Sequence, residues 1–407
     1  MKNLVKLMRE TMPVFHASLL VAGTAIGAGM IALPVVTADA GVVGATALYG
    51  ICWLFSLITG LLFVQIQRWM GRQVNLMTMS KELLGVPGYI VTGCFYIFLF
   101  YSLTMAYITG TSSILQHALP PFFPRWLPTV LVSLFMGNVV FLGMRGASRI
   151  NLYLMAGLIV SYIGFLWVGF QQFDPDFLFQ GHIQDAWIAL PVIYTAFSYQ
   201  GVIPTLYTYL HGDIKQVRLS IIIGTTLPLI AYIVWDILIK GIIPLNGPES
   251  LTQAKLLGQS IIEPLSYFLP GSAVVILGTW FAFCALATSF LGVTMGLTDF
   301  LFDAFDAVRN HWNRLKIVLL VFIPPTIVAL INPNIFLFAL GLAGGVGCAV
   351  LLGLMPILMV IRGKYSLKLP CSSRGIFHGV SLFFLLFCSI AILFSEVWGV
   401  IAGYLIA

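Results

Sequence analysis

Ala22-Gly23-Thr24-Ala25-Ile26-Gly27-Ala28-Gly29-Met30 lies inside the first long apolar segment, 12–34, near the depth of a bilayer midplane. Three glycines and a threonine within seven residues hold a continuous helix poorly and leave backbone N–H and C=O groups open. In hydrocarbon an open backbone is tolerated only where it lines a cavity or is buried in protein. The stretch therefore reads in two ways. Gly23-xxx-Gly27 is a small-xxx-small pattern that lets helices approach closely, and the same glycines can form half of a substrate and ion site.

Composition sets the context. Sixty per cent of the 407 residues are hydrophobic and 8% are charged, against about 25% charged in a soluble domain. The chain reads as an all-α polytopic membrane protein. A spanning helix needs about 20 apolar residues, and that ruler gives eleven spans, at 12–34, 42–66, 88–116, 127–143, 150–170, 186–209, 219–243, 271–298, 315–332, 335–361 and 376–404. Residues 1–11 precede them as a cytoplasmic N-terminus. The first segment is longer than the apolar region of a signal peptide and is read as a retained helix.

Basic residues orient the spans, because cytoplasmic loops concentrate Lys and Arg. With the N-terminus inside, that side holds Lys2, Lys6 and Arg9; Arg68, Arg72 and Lys81; Arg145 and Arg149; Lys215 and Arg218; Arg309, Arg314 and Lys316; and Arg362, Lys364, Lys368 and Arg374. Only Arg125, Lys240 and Lys255 are left outside, so the C-terminus faces the periplasm. The net charge of +6 thus reflects orientation and implies no nucleic-acid partner. Cys52, Cys94, Cys284, Cys348 and Cys388 fall in apolar segments and Cys371 in a loop; no pair has metal-ligand spacing, so neither a disulfide framework nor a zinc site is expected.

Internal symmetry bears on the opening stretch. Phe197-Ser198-Tyr199-Gln200-Gly201-Val202-Ile203-Pro204 is a second weak point, in span 6, and Gly201 follows Gly27 by 174 residues. Segment starts recur at similar offsets through span 10. An odd number of spans per unit inverts the second unit relative to the first, giving five-helix repeats at 12–170 and 186–361 and one additional helix at 376–404. Interrupted helices at matching positions of two inverted halves mark the binding site of a transporter. The half-helix beginning at Gly27 offers free amides and a positive dipole end to a carboxylate. Nearby unwound carbonyls suit a cation. No catalytic motif or paired-carboxylate signature is present, so an enzyme is not expected.

Val21–Met30, Pro191-Val192-Ile193 with Phe197 and Gly201, and Ala285-Leu286-Ala287-Thr288-Ser289-Phe290-Leu291-Gly292-Val293 together resemble the bacterial aromatic amino acid permeases, the tyrosine- and tryptophan-specific transporters of the hydroxy/aromatic amino acid permease family. The resemblance covers nearly the whole chain. It implies a leucine-transporter-like fold, a bacterial inner-membrane location and ion-coupled symport of an aromatic amino acid, tyrosine first and tryptophan next, driven by protons. On that pattern the region of Gly27 and Gly29 holds the substrate carboxylate and the residues around Tyr199 and Gln200 form the side-chain pocket; Gly23, Thr24, Ala25, Ala28, Tyr107, Phe197 and Gly201 are further substrate-binding candidates. Thr288 and Ser289 match the hydroxyl pair of sodium-coupled relatives, with Ala285, Gly23 and Ile26 completing an oxygen cage that a hard cation favours. The same hydroxyls can equally bond their own backbone. Span 5 has no ionisable residue, and Leu158 stands where proton-coupled relatives place a lysine, so the coupling ion is open between proton and sodium.

Ionisable residues inside the membrane are functional candidates by default. Asp236 is the one chosen here for ion coupling, with Lys240 at i+4 as its plain partner; His16 and Glu396 read as interfacial. No cofactor and no obligate protein partner are implied, only the amino acid, the ion and the bilayer. The competing reading is a receptor that kept the fold and lost transport.

Overall fold

A computed structural model describes residues 2–71, 74–120, 122–178, 181, 183–371 and 375–406, with the side chains at 2–11, 118, 144–148, 183–185 and 402–406 outside the description. Lys2, Lys6, Arg9, Arg72, Arg145 and Arg374 of the charge pattern thus lie outside the described residues or side chains. The chain is a multi-pass helical membrane protein. Among the described residues nine helices are long and apolar enough to span, and a tenth span is a pair bent by 54°, 12–25 with 28–36. The remaining expected span is Trp126–Leu142, at 17 residues the shortest.

In order the helices are α1 (Lys2–Ala25), α2 (Ala28–Val36), α3 (Gly41–Met70), α4 (Leu76–Ala118), α5 (Trp126–Leu142), α6 (Met144–Gly169), α7 (Leu190–Ala196), α8 (Ile203–Tyr209) and α9 (Ile214–Lys240). The loop helices α10 (Leu251–Leu256) and α11 (Ile262–Phe268) follow, then α12 (Ala273–Ala304), α13 (His311–Ile331), α14 (Phe336–Leu342), α15 (Met355–Ile361) and α16 (Gly379–Ile406). Span 3 begins twelve residues earlier than the apolar run suggests, because a short helical segment capped by Asn75 and carrying Ser80, Lys81 and Glu82 is joined to it through Gly85, whose φ of +77° only glycine adopts without strain. Span 10 contains a π-helical segment, Ala343–Leu354, between α14 and α15. Apolar content alone does not reveal such a segment.

The helices pack as two groups. α1 and α3 lie on α9, and α2 lies on α7; separately, α12 lies on α6 and α4, and α13 on α5 and α4. Side-chain hydrogen bonds stitch each group internally. Within the first, Trp53 Nε1 donates to Thr225 at 3.2 Å and Ser220 to the Val14 carbonyl at 3.3 Å. Within the second, Tyr101 donates to the Leu320 carbonyl at 2.8 Å and Thr326 to Ser133 at 2.8 Å.

A buried ion pair closes the first group at the end away from most of the basic residues. Asp236 and Lys240 meet at 2.9 Å with side chains 1% and 5% exposed. Lys240 Nζ also donates to the carbonyls of Thr37 and Gly41, at 3.0 and 3.2 Å, so its charge caps the C-terminal end of α2. Tyr49 donates to Asp236 at 3.0 Å. Replacing Lys240 by Met strands the carboxylate, with an expected loss of about 3–5 kcal/mol, most of which the double variant Asp236→Asn/Lys240→Met recovers. Thermal unfolding of the purified variants in one detergent checks this; equal losses in both contradict the pairing.

Candidate functional site

The first span breaks where the glycines predict. α1 ends at Ala25, Ile26 and Gly27 leave the helical path, and α2 starts at Ala28. The i+4 amides that would close on the carbonyls of Gly23 and Thr24 belong to Gly27 and Ala28, beyond the break. Of the first-turn amides of α2, that of Met30 donates to the Gly27 carbonyl at 3.1 Å, while those of Ala28 and Gly29 have no acceptor within the helix. Span 6 does the same: α7 stops at Ala196, and a single 3-10 turn over Gln200–Val202 leads into α8. Both α8 and α7 carry proline in their first turns, where the missing amide costs nothing.

The two breaks share one partner. The Tyr232 hydroxyl, from α9, lies 2.7 Å from the Ala25 carbonyl and 2.8 Å from the Ala196 carbonyl, the last residues of α1 and α7. Ser56 of α3 donates to the Phe197 carbonyl at 2.6 Å. Thr195 donates to the Leu340 carbonyl at 3.0 Å, just ahead of the π segment. Hydroxyl side chains thus take up carbonyls that the breaks set free. Tyr232 and Ser56 were absent from the sequence-derived site, since single hydroxyls in apolar helices carry no pattern.

A cavity of about 1230 Å³ runs from the breaks toward the end bearing most of the basic residues, past Leu19, Asn75, Thr205 and Asp299. All nine residues of α2 are buried, sealing the opposite direction. The cavity is lined by Gly23, Thr24, Ala25, Gly27, Ala28, Gly29, Tyr107, Tyr199, Gln200, Gly201, Thr288 and Ser289. Phe197 is not among its lining residues: 1% exposed, its ring packs edge-on against Tyr232 at 5.1 Å. Ile26, Ala285 and Asp236 likewise stand behind the lining. Asp236 belongs to the ion-pair cluster beyond α2.

Several predicted side chains are engaged within the protein. Gln200, 1% exposed, donates through Nε2 to Ser56 and Thr59 at 3.1 Å each and accepts the Tyr199 amide at 3.0 Å, so it braces the break rather than presenting its amide to the cavity. Thr288 donates to the Ala285 carbonyl at 3.1 Å. Tyr107 and Ser289 both line the cavity. Residues not foreseen also line the cavity: Asn151 and Met155 of α6, Leu103 of α4 and Ser198 at the second break.

The glycines serve close approach as well as an open backbone. A Cβ at Gly27 would stand 2.2 Å from Ser289 Oγ, and one at Gly29 2.5 Å from Ala196 Cβ and 2.7 Å from its Cα. The two broken spans therefore touch at Gly29 and Ala196, and the first span meets α12 at Gly27.

The model of the tryptophan/tyrosine permease family matches residues 10–396. Among individual relatives, the tyrosine-specific transport system 1 of Haemophilus influenzae is 32% identical over 81% of this chain and 83% of its own. The tryptophan-specific transport protein of Pseudomonas aeruginosa is 31% identical over 80% and 81%, and the low affinity tryptophan permease of Escherichia coli is 29% identical over 86% and 87%. The chain belongs to the tryptophan/tyrosine permease family.

Two substitutions test the geometry. Tyr232→Phe frees carbonyls at both breaks and is expected to lower stability by about 1–3 kcal/mol, read by thermal unfolding; an unchanged midpoint shows that the bridge is dispensable. Gly27→Ala is expected to destabilise by contact with Ser289, and Ser289→Ala in the same chain to return part of the loss because only Cβ, at 3.2 Å, then opposes it. Additive losses in the double variant contradict that contact.

Proposed function

We propose that this member of the tryptophan/tyrosine permease family imports an aromatic amino acid, tyrosine by preference and tryptophan next, by proton-driven symport across the bacterial inner membrane. The observation that carries the reading is the cavity at the paired helix breaks, where the N-terminus of α2 meets a mostly apolar chamber. The first-turn amides of α2 suit the substrate carboxylate. Ser198 and the open backbone near Ala25 are close by for the ammonium group, and Tyr107, Leu103 and Met155 offer surfaces for the ring. The names of the curated relatives, tyrosine- and tryptophan-specific transporters, support the substrate class.

Transport follows as rocking of one packed group against the other. α1–α3 and α7–α9 form the moving bundle, with α4–α6 and α12–α15 as scaffold, the two five-helix repeats being inverted and α16 added outside them. The N-terminus is cytoplasmic and the C-terminus periplasmic, so the cavity described above is open to the inside. The Asp236–Lys240 pair couples α2 to α9 and makes those elements move together. A sodium-coupled variant of this reading has an observation of its own. Thr288 and Ser289 face the first break beside Gly27, and with the carbonyls of Gly23, Ile26 and Ala285 they offer only oxygen ligands.

Uptake of labelled tyrosine, tryptophan and phenylalanine into proteoliposomes, under an imposed proton gradient and then a sodium gradient, tests the proposal. Accumulation of tyrosine above tryptophan with the proton gradient alone is expected. Accumulation with sodium alone replaces the coupling ion, and no uptake of any of the three points to a receptor that does not transport.

A further inference from the structure

Glu396 of α16, read from the sequence as interfacial, is packed within the protein and only 9% exposed. It lies in a slot cut by two glycines of the facing span. A Cβ at Gly341 would stand 2.9 Å from both carboxylate oxygens, and one at Gly345 2.4 Å from Glu396 Cβ. The side chain lines a second cavity, of about 200 Å³, together with Val36 at the end of α2, Val192 of α7, Leu337 of α14 and Lys255 of α10. Among the described residues no hydrogen bond or ion pair reaches the carboxylate. Lys255, the cation lining the same cavity, is engaged by Asp39 at 2.6 Å. Of the other ionisable groups on elements packed against α16, Tyr194 of α7 packs at a tilt against Phe55, centroids 5.2 Å apart, and Cys348 of the π segment is fully buried; neither lines the cavity.

The contrast with Asp236 is chemical. Asp236 has a cation at 2.9 Å and accepts from a phenol at 3.0 Å. A carboxylate buried among apolar groups with neither is costly, above all in a bilayer, and a proton removes the charge without any rearrangement of partners. The cavity touches α2 and α7 on one side and α14 and α16 on the other, so it straddles the seam between the proposed bundle and scaffold. It also lies beyond the seal of α2, away from the large cavity.

We propose that Glu396 is the proton-binding group of coupled transport, loaded from the outer side, and that its charge state governs closure of α14 and α16 on α2 and α7. The inference rests on the proton-symport reading above and assigns the coupling ion to a particular side chain. The step is an exchange with water: carboxylate and proton give the carboxyl group, and its ionisation in the other state of the transport cycle returns the proton.

The test uses the full-length protein in proteoliposomes with labelled tyrosine and tryptophan. Glu396→Gln keeps the shape and cannot titrate. It is expected to retain substrate counterflow, which needs no net proton movement, while losing accumulation driven by a proton gradient and the pH dependence of uptake. Glu396→Asp keeps a titrating group and is expected to accumulate substrate with a displaced pH profile, which also serves as the readout should the glutamine variant fail to insert. A glutamine variant that accumulates as the wild type does, or an aspartate variant with an unmoved pH profile, overturns this inference alone. Loss of counterflow together with accumulation in a folded glutamine variant also overturns it, since that is the mark of a purely structural role. A wild-type chain driven by sodium, or inactive, overturns the inference and the proposed function together.

Discussion

Breaking two helices in the middle of a membrane frees carbonyls that lipid cannot satisfy, and one phenol stands between the ends of both, its single proton shared by two acceptors. Tyr232 stands within hydrogen-bonding distance of Ala25 and Ala196, so α1 and α7 terminate on the same oxygen. Everything at the site depends on that arrangement. It ties both broken spans to α9 and sets the two breaks side by side, with Ala28 and Gly29 at the start of α2 lining the cavity. Ser56, Thr59 and Gln200 extend the scheme to α3. The polar groups around the breaks are therefore mostly structural, and the cavity keeps an apolar lining.

The distribution of hydrogen bonds separates what is held from what can slide. Bonds among α1, α3 and α9 join one group, and bonds among α4, α5 and α13 the other. Few cross between the groups, Tyr162 to the Ala231 carbonyl and Thr195 to the Leu340 carbonyl being examples. Apolar side chains in a membrane gain little from each other that lipid does not also supply. A seam made mainly of such contacts yields more readily than the groups on either side of it.

Much of this was legible in the sequence, for physical reasons that differ by element. The glycine-rich stretch at 22–30 and Gln200-Gly201 with Pro204 betray broken helices because residues that weaken a helix are conspicuous inside apolar runs. Asp236 and Lys240 declare their pairing by a spacing of one turn. Tyr232, Ser56 and Thr59 declare nothing, since their partners are backbone carbonyls remote in sequence. Gln200 lines the cavity, but its amide is turned to α3, a direction that no spacing encodes. Glu396 escaped for another reason: its burial is produced by Gly341 and Gly345, on a different span.

Gly29 and Ala196 set a limit of another kind. Two backbones in direct contact leave no thickness to trim and no side chain to exchange, so the floor of the chamber has a fixed height. Room for a wider or narrower ring can come only from the walls, where Leu103, Tyr107 and Met155 stand on helices outside the two broken spans. Anchoring and selectivity are thereby carried by different helices. On the proposed reading, a lineage of such chains changes the aromatic ring it accepts by altering α4 and α6, while the broken helices assigned to the amino acid backbone stay as they are.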